Sequence, residues 1–117
     1  MYIAVLVIPV PEENMDAYRE WAEKGAAIFR KYGCMEIIDC WEDFVPAGKQ
    51  TDFHRAVAAK DGEKIVCSWQ IWPDRESFYS SEARMHEDNA LEVSGEIPFD
   101  PSRLIYGCFK PIYTMGR

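Results

Sequence analysis

The sequence is short of cations, of long apolar runs and of histidine. Lys and Arg total 13 against 20 Asp and Glu, giving a formal net charge of −7. Nucleic-acid affinity rests largely on Lys and Arg neutralising phosphates. Nucleic acid is therefore not an expected partner, and an acidic surface disfavours anionic membranes for the same reason. No apolar stretch reaches the roughly 18–20 residues of a membrane span. The N-terminus lacks the basic, apolar and cleavage regions of a signal peptide, so the expected location is cytoplasmic. The four cysteines, Cys34, Cys40, Cys67 and Cys108, match no common zinc spacing. In the cytosol they are expected to be reduced and to pack as small apolar residues. No phosphate-binding glycine loop, dinucleotide fingerprint, nucleophile elbow or metal-binding helix motif is present. No cofactor or metal is expected.

What is there is a globular pattern. At 117 residues and 48% apolar content the chain suits one domain with a real core. Tyr2 to Val10 is apolar at nearly every position, which predicts a strand covered on both faces. Pro11-Glu12-Glu13-Asn14 opens a helix, with proline and acidic residues suiting its first turn. Met15, Tyr18, Trp21 or Ala22, Gly25, Ile28 or Phe29, and Tyr32 mark one face of it, and Gly33 stops it. Cys34 to Glu42 reads as a partly exposed edge strand. Phe44 to His54 is a long excursion, after which Arg55 to Lys60 looks extended. Asp61-Gly62 is a hairpin-turn signal before a further apolar strand, Ile65 to Trp72. Pro73-Asp74 starts a second helix running to about Asp88, with Phe78, Ser81 or Glu82, and Met85 inside. Asn89 to Ser102 is irregular, and Arg103 to Tyr113 is the last strand.

The order predicts an α+β fold: a ferredoxin-like β-α-β-β-α-β antiparallel sheet with an extra hairpin, its first and third main strands central. Both helices then lie on one face. Yet both central strands are apolar in both phases, so the other face would leave a large apolar patch in water. A second sheet from an identical chain is the simplest cover, which makes a homodimer the expected assembly. Cover by the excursion, or by the segment after the second helix, is the alternative.

Lys49, Asp52, His54 and Arg55 cluster in the excursion. As a site they offer cations for a carboxylate or phosphate, an imidazole for proton transfer and a carboxylate to orient it. The plainer reading, which we favour, is an ion-pair network that pins a long loop. Asp100 and Arg103 fit the same two readings, with Asp100 capping its own turn. His86 lies in a charged stretch and reads as a solvated surface histidine. The paired acids Glu12-Glu13, Glu42-Asp43 and Glu87-Asp88 read as helix-end and surface charge.

Two segments are distinctive: Val45-Pro46-Ala47-Gly48-Lys49-Gln50-Thr51-Asp52-Phe53-His54-Arg55-Ala56-Val57, and Ile97-Pro98-Phe99-Asp100 with Arg103-Leu104-Ile105-Tyr106-Gly107-Cys108-Phe109. With the N-terminal strand and Val10-Pro11, they resemble the uncharacterised bacterial YbaA-like family over essentially the whole chain. That resemblance implies the dimeric α/β-barrel fold and carries no catalytic residue over. It also offers Trp69, Trp72, Trp41 and Tyr106 a cavity between sheet and helices, where superfamily relatives hold small aromatic or polyketide-like substrates; core or interface packing is the commoner role for such residues. The expected function is a small-molecule-binding protein of the dimeric α/β-barrel type, with cofactor-independent oxygenase or isomerase chemistry. Its ligand contacts would be Lys49, Asp52, His54, Arg55, Trp69, Arg103 and Tyr106. The competing expectation is a non-enzymatic homodimeric interaction protein with a tightly packed interior and no pocket.

Overall fold

The computed structural model describes residues 1–93 and 95–117. Strands β1 (Tyr2–Pro11), β2 (Glu36–Trp41), β3 (Glu63–Trp72) and β4 (Ile105–Phe109) form one sheet in the order β2-β3-β1-β4. Every neighbouring pair is antiparallel. This is the ferredoxin-like order, with the two most apolar strands inside. β1 and β3 pair along their full length, from Tyr2 opposite Trp72 to Pro11 opposite Glu63.

Two long helices, α1 (Met15–Lys31) and α3 (Arg75–Glu87), cover one face of the sheet. Side chains alternate along a strand, so that face takes Tyr2, Ala4, Leu6, Ile8 and Val10 from β1. Towards one end, Tyr2, Ala4 and Trp72 pack with Phe78 of α3 and Phe29 of α1. Towards the other, Ile8, Val10 and Val66 pack with Tyr18 and Trp21 of α1 and with Phe99. The rings of Trp21 and Phe99 meet edge-on, centroids 5.1 Å apart. α1 is preceded by a single 3-10 turn, Glu12–Asn14, and ends before Gly33, whose φ of +107° an L side chain rarely adopts. α3 is capped by Asp74, whose carboxylate accepts from the Ser77 N–H at 2.7 Å. Its inner side is Phe78, Ser81 and Met85, as the spacing predicts.

The extra hairpin does not form. Residues 55–60, expected to be extended, instead follow and complete a short helix, α2 (Phe53–Ala56). Asp52 caps α2 by accepting from the Arg55 N–H at 2.8 Å, and its carbonyl accepts from the Ala56 N–H at 3.0 Å. A hairpin partner for β3 would have had no free edge of β3 to join, because β3 already pairs with β1 and β2. Asp61-Gly62 does make a turn, closed by Glu63 N–H donating to the Lys60 carbonyl at 3.1 Å with Gly62 at φ +84°. It leads into β3 without a preceding strand. The last strand is also shorter than expected. Arg103 belongs to a 3-10 turn, Pro101–Arg103, capped by Asp100, and β4 stops at Phe109, two residues before Pro111.

The second sheet face is covered at one end by the excursion itself: Val57 is buried against Val7 and Ile65. Elsewhere on this face Ile71 is also buried, and Arg117 of the C-terminal tail pairs with Glu36 beside it. Ile3, Val5 and Trp69 are half-buried there, and Ile38, Ile105 and Phe109 are exposed. Cys40 is also exposed, against the expectation that all four cysteines pack as core residues; only Cys34 is buried. Among the described residues no helix is long and apolar enough to cross a membrane.

Candidate functional site

The residues predicted from the sequence fall into separate groups and not into one site. Asp52 and Arg55 clasp the excursion. The Asp52 carboxylate accepts from the Gly48 N–H at 3.1 Å and from Arg55 Nε at 3.0 Å. The Arg55 guanidinium also donates to the carbonyls of Gly48, Lys49 and Gln50. Lys49 enters this clasp through its backbone. The backbone and Arg55 N–H groups hold the Asp52 carboxyl below the usual carboxylate range. His54 turns elsewhere: its Nε2 meets Glu42 Oε1 at 2.9 Å, an oxygen that also accepts from the Ile65 N–H at 2.8 Å. Arg103 lies on a third centre with Glu63 and Asp100. Trp69 faces the open side of the sheet, opposite Ile38 of β2 and Val5 of β1.

Tyr106 is different. It points to the helix-covered face, where a cleft of about 450 Å³ lies between the sheet and α3. That volume falls within the roughly 300–1,000 Å³ usual for small-molecule sites. Leu6 of β1, Phe29 of α1, Met85 of α3 and Leu91 supply apolar wall. Tyr106, Gln70, Glu82, His86 and Asn89 supply polar groups. Strand alternation puts Leu6, Gln70 and Tyr106 on one surface, since Leu6 stands opposite both Ser68 and Tyr106 and Gln70 lies two residues beyond Ser68. Helical spacing puts Glu82, Met85 and His86 on the facing side of α3.

The polar groups are oriented. The Tyr106 hydroxyl donates to Glu82 Oε1 at 3.4 Å and lies 3.2 Å from Cys108 Sγ. Burial pushes the Tyr106 phenol well above its ordinary value, and the neighbouring Cys108 and Glu82 add to this. It therefore stays protonated as a donor. Tyr2, beside Tyr79 and Cys108, is pushed up to about 12. Protonatable groups thus run from Glu82 through Tyr106 and Cys108 to Tyr2 and Tyr79. The Trp72 indole N–H donates to Gln70 Oε1 at 3.0 Å. With its oxygen so engaged, the Gln70 amide keeps its NH₂ for another acceptor. The set can hold an apolar molecule by its rings and an oxygen of that molecule by donors, with Glu82 and His86 as proton acceptors. Among the described residues no group of three or more His, Cys, Asp or Glu is placed to hold a metal ion.

Sequence reading finds Tyr106, names Glu82 only as an alternative inward residue, reads His86 as a surface histidine, which is indeed exposed, and misses Gln70 and Asn89. The i, i+4 pair Glu82 and His86 flanking the inward Met85 is the signal that was available, but α3 has too thin an apolar stripe to show which flank meets the sheet.

A family model described as protein of unknown function (DUF1428) matches residues 1–101. The uncharacterised protein YbaA of Escherichia coli (strain K12) is 41% identical over 112 residues, covering 95% of this chain and 96% of that protein. YbaA of Shigella flexneri matches to the same extent. Among solved structures, SnoaB, a cofactor-independent oxygenase from Streptomyces nogalater, superposes with a TM-score of 0.51 at 13% identity, covering 99% of this chain and 98% of that one. At that identity the likeness is one of fold.

Proposed function

Because the chain belongs to the DUF1428 family, whose YbaA members are uncharacterised, we propose its function from its own cleft: it binds a small, largely apolar ring compound carrying a carbonyl or hydroxyl oxygen. The observation that carries this is the convergence of Tyr106, Gln70, Glu82 and His86 on an apolar-walled space of about 450 Å³. A closed core was the expectation of the non-enzymatic reading, and a cleft of this size favours the ligand reading over it. The chemistry these groups support is cofactor-independent proton transfer, of the kind an isomerase or a cofactor-independent oxygenase uses. Gln70, and Tyr106 once its hydroxyl turns from Glu82 to the ligand, would donate to the ligand oxygen while Glu82 or His86 takes a proton.

The assembly we propose for it is a homodimer. The partly exposed Ile3, Val5, Trp69, Ile105 and Phe109 share one sheet face, and a second copy would cover them. The setting we propose for it is the cytoplasm, where its cysteines would be kept reduced.

The test is a thermal-shift screen against phenols, quinones and cyclic enolisable ketones, followed by equilibrium dialysis of hits. A ligand that raises Tm in the parent chain and not in the Gln70→Leu and Tyr106→Phe variants supports the site. Hits that stabilise all three chains equally, or no hits, count against it.

A further inference from the structure

A second cleft, of about 250 Å³, lies on the opposite side of the sheet, between β2, β3 and the loop that carries Phe44 and Phe53. Two thiols line it. Cys40 of β2 and Cys67 of β3 are direct cross-strand partners in an antiparallel pair. Residues so opposed hold their Cα atoms about 4.5–5.5 Å apart, inside the roughly 4.4–6.8 Å window of a disulfide. Directly opposed side chains also point the same way from the sheet. The two sulfurs are close enough for charge on Cys40 to raise the Cys67 thiol, on top of the larger effect of burial. They differ in access: Cys40 is exposed and Cys67 is half-buried.

We propose that Cys40 and Cys67 form a dithiol site that a hydroperoxide oxidises to a cross-strand disulfide. The exposed Cys40 reacts first. Its thiolate attacks the terminal peroxide oxygen, the O–O bond breaks, and the alkoxide leaves as the alcohol after taking a proton. Cys40 is then a sulfenic acid, oxidised by two electrons. The Cys67 sulfur attacks the sulfenic sulfur, the S–S bond forms, the S–O bond breaks, and hydroxide leaves with the Cys67 proton as water. Two thiols and one hydroperoxide give one disulfide, one alcohol and one water. A thiol reductant reverses it. The product ties the outer strand β2 to β3 and closes the whole excursion, α2 included, into a covalent loop. The site shares no residue with the cleft assigned to ligand binding.

The experiment treats the full chain with cumene hydroperoxide, removes the excess and titrates thiols in denaturant. The count is expected to fall from four per chain to two, with the chain still running as a monomer on a non-reducing denaturing gel. Peptide mapping is expected to recover Cys40 joined to Cys67. In Cys67→Ser the first step should stall, leaving a sulfenic acid at Cys40 that dimedone captures. The proposal is overturned if the count stays at four, if Cys34 or Cys108 supplies a lost thiol, or if the bond joins two chains.

Discussion

The guanidinium of Arg103 holds both carboxylate oxygens of Glu63, 40 residues earlier in the chain, at 2.7 and 2.6 Å. It also donates to Asp100 at 3.0 Å and to the carbonyl of Ala58 at 3.0 Å. The pair is largely shielded, with side-chain exposures of 15% for Arg103 and 8% for Glu63. One planar fork thereby joins the start of β3, the end of the excursion and the turn before β4. It keeps Val57 seated over Val7 and Ile65, the part of the second face that the chain covers by itself.

Arg103→Met is expected to destabilise the fold by about 2–4 kcal/mol, chiefly by leaving the shielded Glu63 carboxylate without a counter-charge and with only the Lys60 N–H as partner. Arg103→Lys should recover little, because an ammonium cannot make the bidentate contact. The double variant Arg103→Met/Glu63→Gln should regain about half or more of the loss. Urea unfolding midpoints measure all three. A double variant as unstable as the single would mean that lost packing, and not the stranded carboxylate, sets the cost.

The same contacts fix a pH dependence. Hydrogen bonds from Ser102 and then Arg103 hold the Asp100 carboxyl down to about 2. Arg103 likewise lowers Glu63. In the unfolded chain these groups return to about 4. The unfolded state therefore binds more protons between about pH 4 and 2, and stability rises with pH across that window. Stability is fully present above about pH 5 and is lost as pH falls through the folded-state values. Unfolding midpoints at pH 5, 4 and 3 should drop progressively in the parent chain, and less steeply in Arg103→Met.

How far the sequence reveals this depends on which contacts fix each feature. Strand order and the central place of β1 and β3 were legible because two-sided apolar character is a local property of Ile3 to Val10 and Ile65 to Trp72. The helix stop at Gly33, the helix start at Pro73-Asp74 and the turn cap at Asp100 were legible for the same reason. The excursion was not. Whether residues 55–60 pair as a strand depends on a vacant sheet edge, and β3 offers none. The ion-pair reading of Asp52 with Arg55 agrees with the contacts seen, yet His54 leaves that cluster for Glu42, 12 residues away. Of the expected ligand contacts only Tyr106 meets the cleft. The other polar groups there come from β3, α3 and the turn after it, and only the packing of α3 on the sheet decides which of its flanks faces in.

Tyr106→Phe tests the cleft with little structural cost, since that residue is 54% exposed. Removing one donor to a bound oxygen should weaken binding by about 0.5–1.5 kcal/mol, a roughly 2- to 10-fold rise in Kd. Gln70→Leu should do the same. Trp72→Phe should act on Gln70 indirectly, by freeing the amide that the indole orients. Equilibrium dialysis with the best screening hit gives the three values. If Tyr106→Phe and Gln70→Leu both leave Kd unchanged, the ligand oxygen is held elsewhere.

The open sheet face makes the last expectation. Phe109 is 57% exposed and Ile105 45%, so neither is needed to pack its own chain. A two-fold axis would place each substitution at the interface twice. Phe109→Glu should then leave the urea midpoint of the isolated chain nearly unchanged. It should weaken self-association by about 2 kcal/mol or more, roughly 30-fold in Kd, because a carboxylate is desolvated on both sides of the seam. Sedimentation equilibrium across nanomolar to micromolar concentrations separates the outcomes. A parent chain that stays monomeric throughout sinks the homodimer. A parent dimer that Phe109→Glu does not weaken moves the interface to another surface, and leaves the apolar row of Ile3, Val5 and Trp69 without the cover assigned to it.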